Sequence, residues 1–119
     1  LRLDADSDQI DRVLSNLLSN ALKFTPSGGA VSLTARREDE EAVVVVTDTG
    51  MGIPAGEQDQ LFNRFFRASN ANHLAVPGTG MGLAITHAIV RNHGGTITAA
   101  SEEDVGTTFT VRLPAAPHT

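Results

Sequence analysis

Cysteine is absent from this 119-residue chain. That removes a disulfide framework and thiolate metal ligands together, and it fits a reducing compartment. A chain of this length buries roughly two-thirds of its unfolded surface, so its core needs no such staple. Basic residues are also scarce: 9 Lys and Arg face 14 Asp and Glu, for a formal net charge of −5. A nucleic-acid-binding surface carries a basic stripe, and this composition argues against one. No apolar run approaches the ~20 residues of a membrane span, and no signal peptide is visible. Internal repeats and low-complexity segments are missing too. The first residue is Leu1 and not methionine, from which we expect a piece of a longer protein. What is there, 40% hydrophobic and 19% charged, is ordinary for one globular domain.

LRLD at the start has the look of a short strand. Asp6 or Ser7 then offers an N-cap for a helix running to about Phe24, stopped by Pro26 and the glycines behind it. Ile10, Val13, Leu14, Leu17, Leu18, Ala21 and Leu22 recur at helical spacing, the apolar stripe of that helix. AVSLTARR and AVVVVTD follow, joined by the acidic turn EDEE. They predict a hairpin whose first strand lies nearer an edge and whose all-apolar second strand is central. EQDQLFNRFFR places Leu61, Phe62, Phe65 and Phe66 on one face of a short helix. RASNANHLAVPGT has neither period, and a connection of that length is functional or disordered. MGLAITHAIVRNHGG predicts a helix closed by Gly94 and Gly95. TITAAS and TTFTVRLP make a last hairpin. Hairpins separated by helices predict an α/β two-layer sandwich, a mixed sheet with its helices on one face.

Three constellations carry chemistry. Asn16, Asn20 and Lys23, at i, i+4 and i+7, share a narrow strip near the edge of the apolar stripe. Asparagine oxygens suit a hydrated Mg²⁺ that takes its other ligands from phosphate; a solvated helix face fits this strip equally well. Gly78, Gly80 and Gly82 alternate just before a helix start in PGTGMGL. Glycine permits close approach, and the helix N-terminus directs free N–H groups at an anion. No Lys-Ser/Thr pair follows, so this cradle is not a P-loop. The third is VVVVTDTGMGIPA, in which Gly50, Gly52 and Ala55 fit a loose dinucleotide fingerprint. Its context fails: Pro54 interrupts the turn, and a phenylalanine helix follows where a second strand is needed. With phosphates at the glycine cradle, Asp48 is left to meet another part of a nucleotide. A carboxylate only accepts hydrogen bonds. It therefore suits the exocyclic amine of adenine and not the carbonyl of guanine.

These residues resemble the boxes of sensor histidine kinases. Asn16-Leu-Leu-Ser-Asn20-Ala-Leu-Lys23-Phe24 resembles the N box and Asp48-Thr-Gly50-Met-Gly52 the first glycine box. Leu61-Phe62-Asn-Arg-Phe65-Phe66-Arg67 is similar to the F box, and Gly78-Thr79-Gly80-Met81-Gly82-Leu83 to the second glycine box. Gly106-Thr107-Thr108-Phe109 resembles the last, glycine-threonine box. All five come in the family's order. The resemblance implies the Bergerat ATP-binding sandwich, with residues 1–114 as the catalytic and ATP-binding domain and 115–119 as a tail. It implies that Asn20 ligates Mg²⁺ and that Asn16 and Lys23 assist at the phosphates. Phe24 takes the place of an aromatic near adenine, Asp48 accepts from the adenine amine above Gly50 and Gly52, and Thr107 contributes through a water. Arg67 to Thr79 become a lid over ATP; Arg67 is a phosphate contact, an interdomain contact or a plain surface charge. The phosphate cradle comprises Gly78, Thr79, Gly80, Met81, Gly82 and Leu83.

The same resemblance implies a reaction. ATPase relatives carry a water-activating glutamate where this chain has Asn16, so transfer is expected in place of hydrolysis. The acceptor is a histidine on a separate dimerisation domain. None of His73, His87, His93 and His118 lies in a motif like that acceptor's. His93 reads as structural, His87 as packing or surface, His118 as tail, and His73 as a lid residue within reach of phosphate. The fragment is thus expected to bind Mg-ATP without phosphorylating itself. Implied partners are the dimerisation domain and, through the parent, a response regulator. The segment is expected to be cytoplasmic and free of direct membrane contact, in a parent anchored in the inner or plasma membrane. Two rivals are a serine kinase of the anti-sigma-factor type, which generally lacks the F box, and a non-enzymatic nucleotide-binding interaction module.

Overall fold

The computed structural model describes residues 7–25, 27–60, 62 and 82–114. Helix α1 spans Ser7–Phe24. Strands β1 (Val31–Glu38) and β2 (Glu41–Asp48) form the first hairpin, around a two-residue turn in which Asp39 takes a positive φ of 55°. A 3-10 helix runs over Ala55–Gln60. Helix α2 spans Gly82–Asn92, and β3 (Thr96–Glu102) and β4 (Gly106–Pro114) make the second hairpin. LRLD lies outside the described residues, as does all of the expected phenylalanine helix beyond Phe62.

The sheet order is β1-β2-β4-β3. Among the described residues a helix followed by a hairpin occurs twice, and the second strands of the two hairpins, β2 and β4, pair at the centre of the sheet. The α/β two-layer sandwich holds. The parallel pair that a mixed sheet requires is not among the described residues, where all three pairings are antiparallel. The reason is topological: each hairpin is antiparallel within itself, and β2 meets β4 head to tail.

One face of the sheet carries the core. Val44 and Val46 of β2, Phe109, Val111 and Leu113 of β4 and Ile97 of β3 pack against Val13, Leu17 and Ala21 of α1 and Ile89 and Val90 of α2. Leu22, expected in the α1 stripe, is instead 67% exposed. It sits about 100° round the helix from Ala21, on a flank the sheet does not reach. Among the described residues β1 is an edge strand, and its Leu33 is 40% exposed.

Among the described residues the opposite face has no helix, yet Val43 is fully buried there. In register it lies between Arg36 of β1 and Arg112 of β4. Those guanidinium groups bridge to Glu38 and Glu41, with Arg36–Glu38 at 2.9 Å and Arg112 at 3.5 and 3.6 Å from the two glutamates. Long basic side chains lay their aliphatic stems on apolar surface. Arg36 and Arg112 also hold the Glu38 carboxyl below its usual range.

Helix α2 ends as its glycines require. Gly95 N–H reaches Val90 O and Gly94 N–H reaches Arg91 O, both at 3.0 Å, a Schellman close. The His93 ring lies 2.8 Å from Ile89 O, so the structural reading of His93 holds. His87 stacks on Phe62 with ring centroids 5.0 Å apart, and Phe62 meets Phe109 edge-on at 6.4 Å. That agrees with the packing reading of His87 and seats one F-box phenylalanine on the core.

Candidate functional site

Cross-strand neighbours in register share a face of the sheet. On the helix-facing side, the row Leu33–Val46–Phe109–Ala99 is wholly apolar. The next row toward the end of β2 reads Val31–Asp48–Thr107–Ser101. Polarity thus enters the core face abruptly, three side chains wide. Asp48 and Thr107 are each only 7% exposed. A polar row at this depth has to be satisfied from within.

The loop after β2 supplies much of that satisfaction. Asp48 Oδ1 accepts from Gly50 N–H at 2.9 Å, and the carboxyl also accepts from Thr107 N–H. Burial pushes the Asp48 carboxyl above the ordinary carboxylate range, and these two backbone donors pull it part of the way back. The loop is then fastened on both sides. Met51 N–H donates to Phe24 O at 3.1 Å, at the end of α1, and Thr49 N–H to Ala30 O at 3.0 Å. On the other side Asp104 N–H donates to Met51 O at 2.7 Å, and Ile53 N–H to Ser101 Oγ at 2.8 Å. Gln58, on the 3-10 helix, donates to Ile53 O at 3.0 Å and to Ser101 O at 2.8 Å.

Two glycines make this fastening possible. A Cβ on Gly50 would strike the Phe24 carbonyl and the Asp48 carboxyl; one on Gly52 would strike Glu102 O, and φ there is +65°. Backbone approaches so close that no side chain fits between. These glycines therefore serve a loop packed beside Asp48, and the strand that a dinucleotide fold needs next is replaced by the 3-10 helix.

The α1 strip lies on the described part of the helix. Asn16 and Asn20 are half-buried and Lys23 is exposed. Asn16 Nδ2 donates to Thr86 Oγ1 of α2 at 3.3 Å, tying the strip to the helix that follows the glycine cradle. Thr86 is fully buried. Gly82 is the first residue of α2, and half-buried Leu83 packs against the core. Arg67, Gly78, Thr79, Gly80 and Met81 lie outside the described residues, with Leu61, Phe65, Phe66, His73 and His118.

Residues 5–117 match the family model described as histidine kinase-, DNA gyrase B- and HSP90-like ATPase. The chain belongs to this family. It is 43% identical over 111 residues to the sensor protein IrlS of Burkholderia pseudomallei, covering 93% of this chain and 24% of IrlS. Among solved structures it is similar to the mycobacterial sensor histidine kinase MprB, at 34% identity and a TM-score of 0.84, covering 98% of this chain and 78% of that one. Full-length ShkA, solved in complex with AMPPNP, matches at 30% identity and a TM-score of 0.81, covering 97% of this chain and 23% of that one. The chain spans 19–28% of the length of IrlS and two other curated relatives. As a histidine kinase-like ATPase domain it is a nucleotide-binding module, and Asp48 and Thr107, from the segments that resemble the first glycine box and the glycine-threonine box, are cross-strand partners with Ser101 beside them.

Sequence reading missed Ser101, Gln58 and Thr86. Ser101 was accessible through the hairpin register, since it lies directly opposite Thr107. Gln58 and Thr86 carry no local signal; only the packing of distant elements selects them.

Proposed function

We infer that the chain is the catalytic and ATP-binding domain of a sensor histidine kinase, presenting Mg-ATP for γ-phosphoryl transfer to a histidine on a separate dimerisation domain. The observation that carries this reading is Asp48: a buried carboxyl, held by two backbone N–H groups, at the end of an otherwise apolar sheet face. A buried acceptor of that kind calls for a ligand that brings a donor. The adenine amine is such a donor, and AMPPNP in ShkA is an adenine nucleotide. Thr107 is the cross-strand partner of Asp48, and Phe24 ends the helix that anchors its loop.

The donor set also fits Mg²⁺. Among the described residues no three His, Cys, Asp or Glu gather into a cage. The amide oxygen of Asn20 is a neutral ligand of the kind a largely hydrated Mg²⁺ accepts, with phosphate oxygens completing the shell and Asn16 assisting at the phosphates. The bound ion would neutralise charge on the transferring phosphoryl oxygens. Lys23 reaches the same phosphates, and residues 78–83 cradle them. Asn16 is neutral and cannot take a proton from water, so the site favours transfer over hydrolysis. Phosphoryl transfer relies chiefly on positioning and charge neutralisation, both within reach of these side chains.

The parent's dimerisation domain, added in trans with Mg-ATP, should become phosphorylated on histidine, whereas the chain alone should not. Asn20→Ala should abolish the enhancement of ATP binding by Mg²⁺ in titration calorimetry. Tight ATP binding without phosphohistidine in trans would replace the kinase reading with a nucleotide-binding interaction module.

A further inference from the structure

Ser101 has no role in the reading above, although it sits at its centre. Three polar atoms surround its Oγ. Ile53 N lies at 2.8 Å and can only donate. Gly106 O lies at 3.1 Å and can only accept. Thr107 Oγ1 lies at 2.8 Å and can do either. A hydroxyl has one proton. For both of the last two contacts to be hydrogen bonds, Ser101 gives its proton to Gly106 O, because that carbonyl has none to offer. The contact with Thr107 is then a hydrogen bond only if Thr107 donates. Thr107 spends its single proton on Ser101 and presents nothing but lone pairs elsewhere.

We propose that Ser101 is a specificity-determining positioning residue: it locks the Thr107 hydroxyl as an acceptor, so that the base pocket holds two side-chain acceptors in register and rejects guanine. This rests on the nucleotide-binding reading of the site. Asp48 and Thr107 are direct cross-strand partners. A base bringing an exocyclic amine finds acceptors on both. Guanine brings a carbonyl to the same place and finds no proton on either. Without the Ser101 hydroxyl, the Thr107 proton is free to turn and donate to that carbonyl. Ser101 also receives Ile53 N–H and, through its own carbonyl, Gln58 Nε2. The residue therefore couples the placement of the Asp48 loop to the polarity of Thr107.

The test is the ratio of ATP to GTP affinity, measured by titration calorimetry for the wild-type chain, Ser101→Ala and Ser101→Thr, with folding checked by thermal denaturation. Ser101→Ala should narrow the ratio by about three- to tenfold, the worth of one neutral hydrogen bond, with part of the change a gain for GTP. Ser101→Thr keeps the hydroxyl and should keep the wild-type ratio. Ser101→Cys, close in volume but a weak hydrogen-bonding partner, replaces the alanine variant should that fail to fold. A wild-type chain that prefers ATP, beside folded variants with the same preference, overturns the inference alone. A wild-type chain that binds neither triphosphate overturns the nucleotide reading and this inference with it.

Discussion

The Asp48 carboxyl is held by Gly50 and Thr107 N–H groups in a setting that still raises its pKa, because desolvation outweighs the two bonds. The native chain therefore keeps a proton on Asp48 at a pH where the unfolded chain has released it. Stability falls as pH rises through the carboxylate range, up to the raised native value, and stays lower above it. Asp48→Asn removes the charge but retains an acceptor oxygen. Its expected effect on the nucleotide-free chain is a higher unfolding midpoint at pH 7 and little change near pH 3, where both forms are uncharged. Its expected effect on ATP is opposite, a loss of roughly 1.5–3 kcal/mol as a charge-assisted bond disappears. Thermal denaturation at both pH values and calorimetry with ATP measure the two halves; an unaltered ATP affinity removes Asp48 from the base pocket.

Between elements, the bond that matters most to the site joins α1 to α2, from Asn16 Nδ2 to Thr86 Oγ1. Thr86→Val keeps the shape of the buried side chain and loses the hydroxyl. The Asn16 amide then loses this tie to α2, and the Mg²⁺ enhancement of ATP binding should drop about three- to tenfold while metal-free ATP binding holds. Thr86→Ser should restore it. Equal losses with and without Mg²⁺ would make Thr86 a packing residue only. Local pattern made much of this scaffold legible. The α1 stripe and the Phe24 stop, the valine run of β2, and both hairpins each follow from period and turn chemistry within one segment. The same is true of Asp48, an acid at the end of an apolar strand with glycine two residues on. Leu22 was misplaced because a stripe specifies a face but not how far the sheet extends beneath it. The Gln58 and Thr86 contacts were illegible for another reason: each depends on a neighbour far along the chain.

At the scale of the whole molecule, two helix-hairpin halves meet along β2 and β4, and the polar row crosses that seam from Asp48 to Thr107. A ligand gripping the row bridges both halves, so binding is linked to global stability. With Mg-ATP at about 100 times its dissociation constant, the folded state gains about 2.7 kcal/mol. Thermal denaturation should show a clear rise in midpoint with Mg-ATP and a smaller one with equal Mg-GTP; equal shifts would deny the pocket any base selectivity. The net charge of −5 adds a condition. A tetra-anionic nucleotide approaches an anionic chain, and Mg²⁺ lowers that repulsion before any specific ligation.

The roof over Val43 has a consequence for the chain before it folds. Ala42 to Thr47 is an uncharged, β-branched window of the kind that stacks between molecules into cross-β fibrils. The glutamates of the roof, Glu38 and Glu41, belong to the acidic run just before this window, and Asp48 closes its other end. Charges at the borders of such a window act as gatekeepers, repelling a second copy of the same segment. Neutralising Glu38 and Glu41 together would therefore cost little in the native sheet, where both are exposed, and show itself as aggregation during refolding.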